Sequence, residues 1–263
     1  MLRAMRTAAS GMRAQQLYLD TVAHNLANVN TSGYKRTRVD FEDLLYQTLV
    51  PPTTAEGGTT GQPVPLQVGH GSRPTSTEKI YAQGDTETTG NPLDVLIQGD
   101  GFLVVQLADG SSGYTRDGAL KLDADGRLVT SHGYVIQPEI SLPDDTESIS
   151  ITADGRVVIQ QAGAASAAEV GQILLARFAN PGGLVARGEN VLLESPSTGE
   201  AQIGVPGEQG VGSILQGAVE RSNVLVVEEM VNLIVAQRAF EMNSKAIRTA
   251  EDMMGVAVNI RPA

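Results

Sequence analysis

The chain has 263 residues, with 19 Lys and Arg against 30 Asp and Glu for a net charge of −11, no Cys, no Trp and only 4% aromatic residues. That length allows one large domain or two ordinary ones with a sizeable core. The composition excludes disulfides, thiolate nucleophiles and Cys-based zinc sites, and it argues against a nonspecific grip on nucleic acid or an anionic membrane and against an aromatic platform for stacking bases.

Helix breakers divide the chain. Residues 39–216 hold 25 of the 29 Gly and 11 of the 12 Pro, so both ends read as helical and the middle does not. Charge divides it too: residues 1–38 carry six bases and one acid, residues 44–216 eight bases and twenty acids. The expected fold class is α+β, with a discontinuous domain of paired, coiled-coil-like terminal helices and a central, mainly antiparallel β domain. The boundaries expected are 1–38 and 217–263 for the helical domain, 39–76 for a Pro/Gly/Thr-rich connecting segment, and 77–216 for the β-rich domain.

In chain order, the first element is a helix of about 27 residues. Met5, Met12, Leu19 and Leu26 repeat at a seven-residue step, and Met1, Ala8, Val22 and Val29 fill the companion step with Gln15 as its polar member, which is an a/d seam. The helix is expected to end near Asn28–Gly33, where Asn and Gly tolerate a left-handed cap. Residues 50–76, with Pro51, Pro52, Pro63, Pro65 and Pro74 among Gly and Thr, read as a long irregular loop. The middle reads as short strands between Gly turns: 94–97, 101–105, 127–130, 133–136, 156–159 and 172–176. Asp125-Gly126-Arg127-Leu128-Val129 recurs as Asp154-Gly155-Arg156-Val157-Val158, a hairpin signal used twice. The last element is a helix over about 220–258, in which Val219, Val226, Leu233, Phe240, Ile247 and Met254 keep the seven-residue step. Val227, Met230, Val231 and Ile234 widen its apolar arc beyond what one partner helix covers.

A search for chemistry finds turns instead. His24, His70 and His132 are too scattered to predict a shared metal. Asp123-Ala124-Asp125-Gly126 lacks the later ligands of a calcium loop. Gly69-His70-Gly71-Ser72 has no strand–elbow–helix frame for a nucleophile, and Gly99-Asp100-Gly101 lacks the third Gly of a dinucleotide loop. Asp94, Asp100, Asp117 and Asp123 suit strand-end turns, with no two singled out as a carboxylate pair. Asn30-Thr31-Ser32 is better read as a capping turn than as a glycosylation site. Neither a cofactor nor a metal is expected, and no enzyme activity. No run approaches the roughly 18 apolar residues of a membrane span, so no membrane insertion is expected. Met1–Arg13 has no apolar segment behind its arginines and does not read as a cleaved secretory signal.

Three ordered stretches resemble the bacterial flagellar rod and hook family. The first is Ser10-Gly11-Met12 through Leu19-Asp20 and then Asn25-Leu26-Ala27-Asn28-Val29-Asn30-Thr31-Ser32-Gly33-Tyr34-Lys35-Arg36. The second is Pro92-Leu93-Asp94-Val95, Gly99-Asp100-Gly101-Phe102, Tyr114-Thr115-Arg116-Asp117-Gly118, and Gly126 through Tyr134. The third is Glu220-Arg221-Ser222-Asn223-Val224, Glu228-Glu229-Met230-Val231, and Gln237-Arg238-Ala239-Phe240-Glu241-Met242-Asn243-Ser244-Lys245. His24 stands where the family often has Asn, and Leu103-Val104 replace a more aromatic run. The chain lacks room for the extra middle sequence of hook members. Gln237-Arg238 with Asn243, and Leu66-Gln67-Val68-Gly69, are most similar to distal rod members, with proximal rod members as the alternative.

The resemblance implies a structural subunit that assembles with copies of itself into a helical tube, with proximal rod proteins and hook protein at its ends and P and L ring proteins around it. It implies export through the flagellar type III apparatus without a cleaved signal, and a position in the rod where it crosses the periplasm. It makes Asn25, Asn28, Asn30, Gly33, Asn223, Gln237, Arg238 and Asn243 motif residues. Subunit packing is then expected on Met5, Met12, Leu19, Val22 and Leu26 of the first helix and on Val226, Met230, Leu233, Phe240, Ile247 and Met254 of the last.

Overall fold

The first helix, α1, runs Leu2–Ala27 in the computed structural model, which describes residues 2–52, 64–143, 145–162, 166–208 and 210–259, the last three by backbone alone. The last helix, α2, runs Val226–Asn259, about 50 Å at 1.5 Å per residue. Between them lie short strands, so the architecture is α+β with a mainly antiparallel middle. The chain forms two compact units. A helical unit comprises Met1–Leu26, Thr37–Glu78 and Leu225–Ala263, and a β unit comprises Ala27–Arg36 and Lys79–Val224. Segments 37–78 therefore group with the helices, and 27–36 and 217–224 with the strands.

Two sequence expectations change. The last helix begins six residues later than expected, because Ala218–Glu220 is a strand antiparallel to Thr86–Thr88. Val219, expected at the head of the helical repeat, is buried in that strand. Residues 50–76 are not simply irregular. Leu66–Gly69 pairs antiparallel with Tyr46–Val50, and Ser72–Lys79 pairs with Thr37–Asp43. Residues 53–63 of that expected loop lie outside the described residues.

In the helical unit, α1 lies against this strand segment. Tyr18 meets Phe41 edge-on at 6.2 Å between ring centroids, and Val22 and Val39 are buried. Asn25 Nδ2 donates to the Thr37 carbonyl and Thr37 N–H donates to Asn25 Oδ1, both at 2.9 Å. Gly71, at φ +109°, comes so close to α1 that a Cβ would stand 2.0 Å from Ser10 Oγ.

The β unit is built on a nine-stranded sheet. One path through it runs Val185–Gly188, Val191–Leu193, Ser112–Thr115, Phe102–Gln106, Val135–Ile136, Leu128–Val129 and Lys121–Leu122, and Leu175–Arg177 joins Phe102–Gln106 to Gln202–Gly204. A three-stranded sheet of Thr146–Ile151, Arg156–Gln161 and Ala168–Gln172 adjoins it. One core buries Leu103, Leu120, Leu128, Ile136, Ile159, Ile173 and Leu175, and a second gathers Phe102, Tyr114 and Phe178. The repeated Asp-Gly segment forms the same turn twice. Gly126 N–H donates to the Asp123 carbonyl at 3.0 Å and Gly155 N–H to the Thr152 carbonyl at 2.9 Å. Each turn glycine then offers its own carbonyl at 2.8 Å, to Leu142 N–H and Ile173 N–H respectively. The carboxylates of the calcium-like turn are engaged by Arg127, which lies 2.9 Å from Asp123 and 3.0 Å from Asp125.

The segment leaving α1 is fixed on the β unit at Gly33. Its φ is +67°, and a Cβ there would fall 2.6 Å from the Arg116 backbone carbon. Left-handed geometry and backbone contact act together, so only Gly fits. Gly33→Ala is expected to cost more than about 1 kcal/mol, read as a lowered urea midpoint with unchanged slope.

Candidate assembly helices and the buried anchor

The helical unit leaves much apolar surface in water. On α2 the side chains of Val227, Met230, Val231, Ile234, Val235, Met242, Met253 and Val256 are half or more exposed, Val227 at 75%. The adjoining ribbon exposes Leu45 at 85%, and Tyr46, Leu49 and Leu66 beside it. The buried stripe of α2 is a different one: Glu229, Ala236 and Ala250 are buried and Asn243 half-buried, again at a seven-residue step. Asn243 stands against Gly11 of α1, where a Cβ would come within 3.0 Å of its Nδ2. Small residues thus let the two helices approach, while large apolar ones point elsewhere. Of the packing set expected from sequence, Val22 is buried. Met5, Met12, Leu19, Leu26, Leu233, Ile247 and Met254 are half-buried, and Val226, Met230 and Phe240 are exposed.

The β unit is closed by a buried carboxylate. Glu220, 2% exposed, ends the strand 218–220. Its Oε1 accepts Lys35 Nζ at 2.5 Å and Gly84 N–H at 2.8 Å, and its Oε2 accepts Arg116 Nε at 2.6 Å. Arg116 also donates to the carbonyls of Gly101 at 2.6 Å, Gly99 at 2.6 Å and Ile97 at 3.1 Å. Lys35 also donates to the Ala82 carbonyl at 2.8 Å. Burial works against the Glu220 charge, but Arg116 and Lys35 outweigh it and hold the carboxyl below the usual carboxylate range. Burial lowers the Lys35 ammonium against the pull of Glu220, and the neighbouring Arg116 charge adds to the lowering. One carboxylate serves two cations, so Glu220 keeps its charge and Lys35 holds its proton less firmly.

The motif residues fall into three groups. Asn25 holds the start of the strand at Thr37. Asn28, Gly33 and Asn223 shape the β unit's tie to segment 27–36. Thr31 Oγ1 donates to Asn28 Oδ1 at 3.2 Å, Gly33 N–H to the Glu220 carbonyl at 2.8 Å, and Arg36 N–H to Asn223 Oδ1 at 2.7 Å. Asn223 Nδ2 donates on to the Ile80 carbonyl at 2.8 Å and the Ala82 carbonyl at 3.0 Å. Asn30, Gln237 and Arg238 are exposed, and Arg238 pairs with Glu241 at 3.0 Å on the same helix. Sequence reading missed the Lys35–Glu220–Arg116 cluster. Lys35 and Glu220 are 185 positions apart, and no local spacing signals such a pair.

Comparison with known proteins fits this arrangement. Family models for a flagella basal body rod protein, a flagellar hook protein FlgE/F/G D1 domain and a flagellar basal body rod FlgEFG C-terminal region match residues 5–35, 96–159 and 215–260. Their order defines a protein of the flagellar rod and hook class. The chain is 46% identical to the flagellar basal-body rod protein FlgG of Borreliella burgdorferi, with 99% of each chain covered. It is 44% identical to FlgG of Caulobacter vibrioides, over 99% of this chain and all of the relative, and 44% identical to FlgG of Buchnera aphidicola from Schizaphis graminum, over 97% and 98%. The chain belongs to the FlgG family of flagellar basal-body rod proteins. It is a structural rod subunit of the basal body and not an enzyme, and the proximal rod alternative is not favoured.

Glu220→Gln is expected to cost about 3–5 kcal/mol, because it leaves two buried cations short of their anion. Glu220 is held below its ordinary value. Its stabilisation is therefore full above the ordinary carboxylate range and is lost as pH falls through the lowered one. Urea midpoints across acid pH are expected to fall steeply in the parent chain and less steeply in Glu220→Gln.

Proposed function

We propose that the chain is a distal rod subunit whose terminal helices pack with those of neighbouring copies into a helical tube that transmits torque to the hook. The observation that carries this is the apolar face of α2, from Val227 to Val235 and again at Met242, Met253 and Val256, which a single chain leaves in water. Patches of this kind mark interaction surfaces. Fully burying one such side chain is worth about 1.5–3 kcal/mol, so a handful competes with an association cost of about 4–15 kcal/mol. Contacts between different surfaces of successive copies do not close, and they generate a helix.

The half-buried positions Met5, Met12, Leu19, Leu26, Leu233, Ile247 and Met254, with exposed Val226, Met230 and Phe240, are the residues we assign to this packing, while Val22, already buried, packs within its own chain. The exposed motif residues Gln237 and Arg238 belong to the same surface. On this reading the tube crosses the periplasm, meets proximal rod and hook proteins at its ends, turns within P and L ring proteins, and is supplied through the type III export apparatus without a cleaved signal. The acidic middle of the sequence suits a shaft surface that binds its bushing weakly.

Ile234→Asp tests this, because the side chain is 54% exposed and its loss costs the single chain little. The variant is expected to keep the parent circular dichroism and melting temperature but to raise the concentration needed for assembly by more than about tenfold, followed by sedimentation and electron microscopy. Unchanged assembly would contradict the proposal.

A further inference from the structure

The apolar face of α2 accounts for adhesion between copies but not for a particular register, and a second surface of the helical unit has the chemistry to set one. A cleft of about 530 Å³ lies between α1 and the strand segment, lined by the apolar Ala9, Leu44 and Pro74 and by Arg6, Arg13 and Arg73. Arg73 is paired with Glu42. Arg6 and Arg13 are exposed and, among the described residues, have no carboxylate within ion-pair distance. Arg3, one turn before Arg6, continues the basic face. The cleft therefore suits an apolar side chain next to a carboxylate.

The end of α2 has that composition. From Glu251 to Asn259 there are two acids, Glu251 and Asp252, and no base. Both acids are exposed, as are Met253 and Val256, and Asp252 and Val256 lie one turn apart on one face. Arg248, one turn back, is not within ion-pair distance of either acid among the described residues.

Building on the assembly reading above, we infer that the cleft on α1 of one copy receives the last turns of α2 of the next. Asp252 then sits between Arg6 and Arg13, and Met253 and Val256 cover Ala9, Leu44 and Pro74. Cleft and occupant are different surfaces, so the contact is head-to-tail and propagates, and its charges fix the register that apolar packing leaves free.

The absence of Cys makes a direct test clean. Full-length chains carrying Ala9→Cys and Val256→Cys are mixed with a short bismaleimide linker. A mixed dimer is expected, with little product from either variant alone. Arg13→Glu in the Ala9→Cys chain is expected to cut the yield about tenfold, and Asp252→Arg in its partner to restore it. No mixed product, equal product from Ala9→Cys chains alone, or indifference to the charge reversal would each overturn the inference. If the parent chain still assembles in an Ile234-dependent way while no mixed dimer forms, this docking fails and the assembly reading stands. If the parent chain does not assemble and the two Cys variants give no mixed dimer, both fail.

Discussion

The constraint on which the rest depends is the apolar surface that α2 presents to water from Val227 to Val235 and again at Met242, Met253 and Val256. A helix whose large apolar residues lie outside its buried stripe needs partners on more than one side. Within the single chain its narrow inner stripe is made of Glu229, Ala236, Asn243 and Ala250, with Gly11 of α1 opposite Asn243. Small residues there leave the large ones free. The single chain therefore carries an apolar face that the proposed assembly would cover.

The β unit has the opposite character. Its cores are closed, and segments distant in sequence are tied into it by charge and by backbone-directed amides. Glu220, Lys35 and Arg116 arrive from three parts of the chain, and Asn223 bridges Arg36 to the carbonyls of Ile80 and Ala82. A buried anion shared by two cations gives little net stability by itself, but it penalises any arrangement lacking one member. Segment 27–36, which follows α1, and segment 217–224, which precedes α2, are thus both fixed on the β unit by the same few side chains. Gly33 and Gly84 are part of that device. A Cβ at Gly84 would stand 2.0 Å from the Arg221 carbonyl oxygen, so the chains approach as closely as backbone allows.

The helices were legible because their information is local. Seven-residue steps and the scarcity of Gly and Pro mark α1 to within a residue, and the doubled Asp-Gly turn marks two hairpins. What was not legible is non-local. Glu220 reads as helical by its neighbours, yet strand pairing with Thr86–Thr88 and two cations hold it extended. Leu66–Gly69 reads as loop, yet Tyr46–Val50 supplies its ladder. The inner stripe of α2 was also hidden, because a periodicity of large apolar residues points to the widest face, whereas Ala and Asn line the side where α1 comes closest.

Hydrogen–deuterium exchange along α2, followed as the full-length protein is concentrated, tests the central claim most directly. The account predicts that amides of residues 226–256 gain protection together with the appearance of tubes, while those of the β-unit core, already protected in the single chain, change little. Tubes that form with α2 exchanging as fast as in the dilute protein, or particles that stay single with α2 unprotected at every concentration, would contradict it.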